Sequence, residues 1–125
     1  FTGKKILIAE DEELNICFME QLVSQIGAEF KTVNSGIDVL HELRKNNYDL
    51  ILMDIQMPKM NGLEVIKNVR NIEKNGGRRT KIIAVSAYAF SDKVQMVMDS
   101  GADDYLVKPF SVKQFYKIIG KWFKS

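Results

Sequence analysis

Asp49-Leu50-Ile51-Leu52-Met53-Asp54-Ile55-Gln56-Met57-Pro58-Lys59-Met60-Asn61-Gly62 is the stretch on which the fold turns. Leu50 to Met53 is an apolar run too short for a helix of its own, so it reads as a fully buried strand. Strands buried on both faces are typical of parallel sheets covered by helices. The run ends in a carboxylate, Asp54, and then breaks into Pro, Asn and Gly, which are turn residues. In an open α/β sheet, ligands bind beyond the carboxyl ends of the strands. Asp54 therefore stands where such a fold does its chemistry.

On either side, apolar runs alternate with helical patterns. Lys5-Ile6-Leu7-Ile8-Ala9 reads as the first strand, ending at Glu10-Asp11. Leu14, Phe18, Leu22 and Ile26 then form an i, i+4 row, and Gly27 stands where a C-capping glycine belongs. Glu29 to Val33 alternates polar and apolar, as an exposed edge strand does. Asn34 or Ser35 caps a helix carrying Ile37, Val39, Leu40 and Leu43, stopped by Asn46-Asn47. Beyond the central stretch, Leu63, Val65, Ile66 and Val69 give a third helix, ending before an Asn75-Gly76-Gly77 turn. Lys81 to Ser86 is the fourth strand. Ser91 caps a short helix through Val94, Val97 and Met98, closed by Gly101. Asp104 to Lys108 is the fifth strand, ended by Pro109, and Ser111 caps a last helix with Val112, Phe115, Ile119 and Trp122 on one face. This is (βα)5, a doubly wound parallel sheet of flavodoxin-like order 2-1-3-4-5. A (βα)8 barrel needs about twice the length.

Composition narrows the class. A chain of 125 residues, 46% hydrophobic and 27% charged, has the size and balance of one globular domain. No apolar run approaches the ~20 residues that cross a bilayer. One cysteine, Cys17, cannot form an internal disulfide and fits a reducing compartment, so a cytoplasmic location is expected. A single histidine, His41, beside that cysteine argues against zinc. Basic residues concentrate in the second half, but the net charge is only +2, and no nucleic-acid or membrane contact is expected. The chain opens Phe-Thr-Gly rather than with Met, which suggests a piece of a longer protein whose residues 1–125 form a single domain.

The strand ends collect the chemistry. Strand one ends in Glu10-Asp11, strand three in Asp54, strand four in Ser86 and strand five in Lys108-Pro109; strand two contributes nothing. Two carboxylates ~4 Å apart repel by roughly 1 kcal/mol in water and ~4 kcal/mol at an effective dielectric of 20. Three are tolerable only with a proton or a cation among them. Mg²⁺, with Mn²⁺ as a substitute, suits such an open set of oxygen ligands. Lys108 and Ser86 are then free to meet an anion. A carboxylate nucleophile beside Mg²⁺, a lysine and a hydroxyl is a phosphoryl-transfer site in which the protein accepts the phosphoryl group.

At this point the chain resembles the receiver domains of two-component response regulators, over essentially its whole length. The family pattern is an acidic pair, a phosphoaccepting Asp, a Ser or Thr, and Lys-Pro; here these match Glu10-Asp11, Asp54, Ser86 and Lys108-Pro109. The runs Met53 to Gly62 and Gly101 to Phe110 are specific for the family. The resemblance implies that Asp54 takes a phosphoryl group from a phosphohistidine on a histidine kinase or histidine phosphotransfer domain. It also implies Mg²⁺ held by Asp11, Asp54 and the backbone carbonyl of Gln56, with Glu10 acting through water. Lys108 and Ser86 meet the phosphoryl oxygens, Tyr105 is the aromatic switch, and the bond before Pro109 is cis. A half-buried strand residue is the other reading of Tyr105. Gln56 and Tyr88 flank the phosphoryl group and tune its hydrolysis. The readout is expected on the fourth helix, fifth strand and fifth helix, toward a downstream protein or a domain in the same chain. Such a domain is a self-phosphorylating acceptor with slow autodephosphorylation rather than a turnover enzyme. The pattern around Glu10 and Asp54 looks most like receivers of hybrid sensor histidine kinases. Apolar Leu14, Ile16 and Cys17 exceed what the first helix can bury, and part of that excess is expected to dock a helical phosphodonor. Haloacid-dehalogenase-type phosphatases need an Asp where Gln56 stands, and flavodoxins need a hydroxyl-rich loop where Glu10 to Glu13 stand. A pseudo-receiver that binds partners without phosphorylation is the remaining alternative.

Overall fold

The structure is a computed structural model and describes residues 3–57, 62–74, 79–89 and 91–123. Five parallel strands, β1 (Lys5–Ala9), β2 (Glu29–Val33), β3 (Leu50–Asp54), β4 (Lys81–Ser86) and β5 (Asp104–Val107), form one sheet in the order β2-β1-β3-β4-β5. Helices α1 (Glu13–Gln25), α2 (Gly36–Lys45), α3 (Gly62–Glu73), α4 (Ser91–Asp99) and α5 (Val112–Phe123) connect them. This is the expected topology.

Alternation along each strand sorts the core into two layers. Leu50 and Leu52, with Ile6, Ile8, Ile83 and Val85, pack against Met19, Leu22 and Val23 of α1 and Phe115 and Ile119 of α5. Ile51 and Met53, with Leu7, Ile82 and Ala84, pack against Val39 of α2, Val65, Ile66 and Val69 of α3, and Val97 of α4. A central strand covered on both faces leaves only its carboxyl end open to water, which is what places Asp54.

Local signals work as read at several termini. Ser35, not Asn34, caps α2 by accepting from the Asp38 N–H at 3.2 Å. Ser111 Oγ accepts from Gln114 N at 3.1 Å while Gln114 Oε1 accepts from Ser111 N at 2.8 Å, a reciprocal capping box. Gly27 and Gly101 sit at positive φ, 79° and 122°, after α1 and α4.

Four expectations need correction. Leu14 is 78% exposed and no part of the α1 core face. Ile37 and Val112, each in the first turn of its helix, are also exposed. β5 stops at Val107, one residue before Lys108. Ser91 is the first residue of α4 rather than the residue before it. The Asn75-Gly76-Gly77 turn and the Pro58 to Asn61 segment lie outside the described residues.

Candidate functional site

Register brings the strand ends level. Ala9 pairs with Met53, so Glu10 emerges beside Asp54; Ser86 pairs with Val107, so Lys108 emerges one residue beyond. The β2 edge contributes after all, through its backbone: the Glu10 N–H donates to Val33 O at 3.1 Å. Lys108 is fixed similarly, its N–H donating to Ser86 O at 2.8 Å. The Lys108–Pro109 peptide is cis, as expected.

At the centre stand two buried carboxylates. Glu10 is fully buried and Asp54 only 2% exposed, while Asp11 is exposed at the rim. One oxygen from each of Glu10, Asp11 and Asp54 lies within 4.8 Å of the others. Lys108 Nζ is 3.1 Å from Glu10 Oε1 and 3.4 Å from Asp54 Oδ2, so its ammonium bridges the buried pair. Asp54 Oδ1 also accepts from the Gln56 N–H at 2.9 Å, and the other Asp54 oxygen is the one turned to Lys108. Burial, reinforced by the hydrogen bond to and the charge of Asp54, pushes the Glu10 carboxyl up to about 7; Asn15 and Lys108 pull the other way.

Ser86, Tyr88, Gln56 and Tyr105 are joined by hydrogen bonds around the segment that follows β4. Ser86 is fully buried, and its Oγ accepts from the Tyr88 N–H at 3.1 Å. The Gln56 side chain reaches the Ala87 N–H at 3.3 Å. Tyr105 is half-buried against the α2–α3–α4 core, and its hydroxyl donates to Tyr88 O at 2.7 Å. All the predicted residues thus meet at one end of the sheet. Glu10, Asp11, Asp54, Gln56 and Lys108 line one open crevice of about 690 Å³, with Glu12, Glu13 and Leu14 at its mouth.

One member was not foreseen: Asn15, whose hydrogen bond favours the ionised form of Glu10, carries no signal in the sequence beyond its place next to the acidic run. Leu14, expected both in the α1 core row and among that helix's surplus apolar residues, stands at the mouth. One ammonium facing three carboxylates leaves negative charge in excess, and the donors are all oxygen. That combination suits a hard divalent cation.

The chain matches the response regulator receiver domain family over residues 6–120. It belongs to that family. This receiver domain is 38% identical over 121 residues to hybrid signal transduction histidine kinase I of Dictyostelium discoideum, covering 93% of the chain but 7% of that kinase. It is 37% identical over 116 residues to the polar-differentiation response regulator DivK of Brucella ovis, covering 93% of each. Among solved structures, it is similar to the receiver domain of sensor histidine kinase PA1611 from Pseudomonas aeruginosa PAO1, solved with a magnesium ion coordinated in its active site cleft. That likeness has TM-score 0.88 and 31% identity, covering 99% of this chain and 100% of the other. The receiver domain of Ssk1 from Saccharomyces cerevisiae, solved with the histidine phosphotransfer protein Ypd1, matches at TM-score 0.90 and 27% identity over 98% of this chain and 90% of that one. The chain is thus a receiver domain of two-component phosphorelay signalling.

Proposed function

We propose that this receiver domain takes a phosphoryl group from a phosphohistidine onto Asp54 in a magnesium-dependent reaction, and changes conformation as a result. The bridging of Glu10 and Asp54 by the Lys108 ammonium carries the reading. It puts a partly buried cation 3.4 Å from one oxygen of the carboxylate that would attack.

Asp11, Asp54 and the Gln56 carbonyl would hold the Mg²⁺ directly and Glu10 through water; when bound, the ion offsets the charge of attacking and transferred oxygens. An Asp54 carboxylate oxygen attacks phosphorus, the bond from phosphorus to the donor imidazole nitrogen breaks, and that nitrogen keeps the electron pair. The product is an aspartyl phosphate on Asp54. Lys108 then pairs with the phosphoryl oxygens, whose charge and acceptor number exceed those of the free carboxylate. Ser86 moves to hydrogen-bond one of them, giving up the Tyr88 N–H, and Tyr105 follows because its hydroxyl is tied to the same loop. Gln56 and Tyr88 flank the group and set its hydrolysis rate. That hydrolysis is slow, so the domain acts as a self-phosphorylating acceptor rather than as a turnover enzyme.

The phosphodonor is a histidine kinase or histidine phosphotransfer domain, consistent with the yeast complex. The domain is read as part of a cytoplasmic hybrid histidine kinase, signalling through α4, β5 and α5 to a downstream partner. No helix among the described residues is long and apolar enough to cross a membrane. Incubation with Mg²⁺ and acetyl phosphate should add one phosphoryl mass to the parent protein and none to Asp54→Ala. An unmodified parent, or equal modification of the variant, would falsify the assignment.

A further inference from the structure

Gln56 engages two sides of the crevice at once. Its backbone N–H donates to Asp54 Oδ1 at 2.9 Å, and its side-chain Oε1 accepts from the Ala87 N–H at 3.3 Å. Register explains the second contact. Asp54 pairs with Val85, so two residues further along each parallel strand Gln56 comes opposite Ala87. The Ala87 N–H therefore faces the loop that carries Asp54. Its neighbour, the Tyr88 N–H, is satisfied by Ser86 Oγ at 3.1 Å. Successive backbone N–H groups in a turn make an anion-binding concavity, and Ala87 lies in the bend that follows β4. Here both donors are held by neutral acceptors from the protein's own side chains.

The two acceptors differ in kind. Ser86 Oγ reaches back within its own turn, a local contact that any nearby rotamer change can remake. Gln56 Oε1 arrives from a different strand, on an exposed side chain that leaves by simple rotation. Its departure costs one neutral hydrogen bond near solvent, and replacement by a charged acceptor gives back a stronger one.

We propose that the Gln56 carboxamide is a built-in competitor that holds the Ala87 amide in the resting state and is displaced by an anion carried on Asp54. It thereby sets how tightly that anion is held, independently of the metal. The proposal rests on the phosphoacceptor reading of Asp54. It separates two roles within one residue: the backbone carbonyl serves the metal, and the side chain opposes the anion.

Beryllofluoride, which mimics a phosphoryl group on a carboxylate, is the probe. Gln56→Met keeps the length of the side chain and removes its acceptor; Gln56→Glu keeps the acceptor and adds charge. Beryllofluoride affinity at saturating Mg²⁺, and Mg²⁺ affinity alone, are read from NMR shifts of the three proteins. Gln56→Met should bind beryllofluoride roughly threefold to tenfold tighter than the parent, the worth of one neutral hydrogen bond, a gain larger than any change in its Mg²⁺ affinity. Gln56→Glu should bind it more weakly. A Met variant that binds no tighter overturns the proposal and leaves the Asp54 reading standing. A gain matched by an equal gain in Mg²⁺ affinity also overturns it, since the effect then lies with the metal. A parent that does not respond to beryllofluoride overturns both readings.

Discussion

Glu42 is a buried carboxylate outside the crevice, held by three donors: Tyr48 OH at 2.7 Å, Asn46 Nδ2 at 2.8 Å and Lys31 Nζ at 3.0 Å. The Tyr48 hydroxyl, and after it Lys31, lower its carboxyl from 4.5 to about 2. A carboxyl whose folded pKa lies below its unfolded one adds stability above the unfolded value and loses it as pH falls toward the folded one. The Glu42 contribution is therefore intact above about pH 5 and fades between there and about pH 2. Glu42→Gln should be less stable than the parent near neutrality by on the order of 1 kcal/mol. Urea melts should show that gap closing as pH drops through the same window; a gap constant with pH would contradict the assignment. Nothing in the sequence marked Glu42, because its partners Lys31 and Tyr48 come from a strand and a loop on either side of its helix. Asp54, Ser86 and Lys108 were legible for the opposite reason. Each follows an apolar run directly, and strand register alone brings them together.

The elements show where periodicity suffices and where it fails. Uninterrupted apolar runs located β1, β3 and β4, since a strand buried on both faces needs no phase, and polar–apolar alternation located the exposed edge strand β2. Helix faces do need one. An i, i+4 row drifts about 40° per step on a 3.6-residue helix, so the row from Leu14 to Ile26 only crosses the α1 core face: Leu14 lies off it, Phe18 and Ile26 pack at its edge, and Met19 and Val23 join Leu22 at its centre. Also illegible was the lock between elements made by Arg70 on α3. Its Nη2 meets Asp103 Oδ2 at 2.7 Å, its Nη1 meets Glu73 Oε1 and Thr80 O at 2.7 Å each, and its Nε meets Gly101 O at 2.9 Å. Asp103 and Glu73 in turn accept from the Ile82 and Thr80 N–H groups, at 2.8 and 2.7 Å. One guanidinium thus ties α3 to the start of β4 and to the turn between α4 and β5. Arg70→Met keeps the stem and strands two nearly buried carboxylates, which should cost about 3 kcal/mol in equilibrium urea unfolding. A loss under about 1 kcal/mol would show that Arg79, 3.0 Å from Asp103 Oδ1, and solvent already carry the load.

At the scale of the molecule, the crevice is a rim of charge with one apolar side chain at its edge. Glu10, Asp11, Glu12 and Glu13 lie along the segment between β1 and the first turn of α1, and Leu14 follows them into the mouth, 78% exposed. Of the other two surplus apolar residues of α1, Ile16 is half-buried and less available, and Cys17 is exposed. A phosphohistidine donor must bring its imidazole to Asp54, so its own surface has to cover this rim. An exposed leucine there offers the desolvated contact that acidic neighbours cannot. A small phosphodonor enters the open crevice without touching it. Leu14→Glu should therefore slow phosphotransfer from a histidine phosphotransfer protein by tenfold or more, the effect of losing about 1.4 kcal/mol of encounter energy. The same variant should leave Asp54 phosphorylation by acetyl phosphate and the unfolding midpoint near those of the parent. Stopped transfer reactions, followed by loss of label from the donor, measure the first rate and intact-mass kinetics the second. Equal slowing of both would place Leu14 in the chemistry of the crevice, and unchanged transfer would move the docking surface off the first helix altogether.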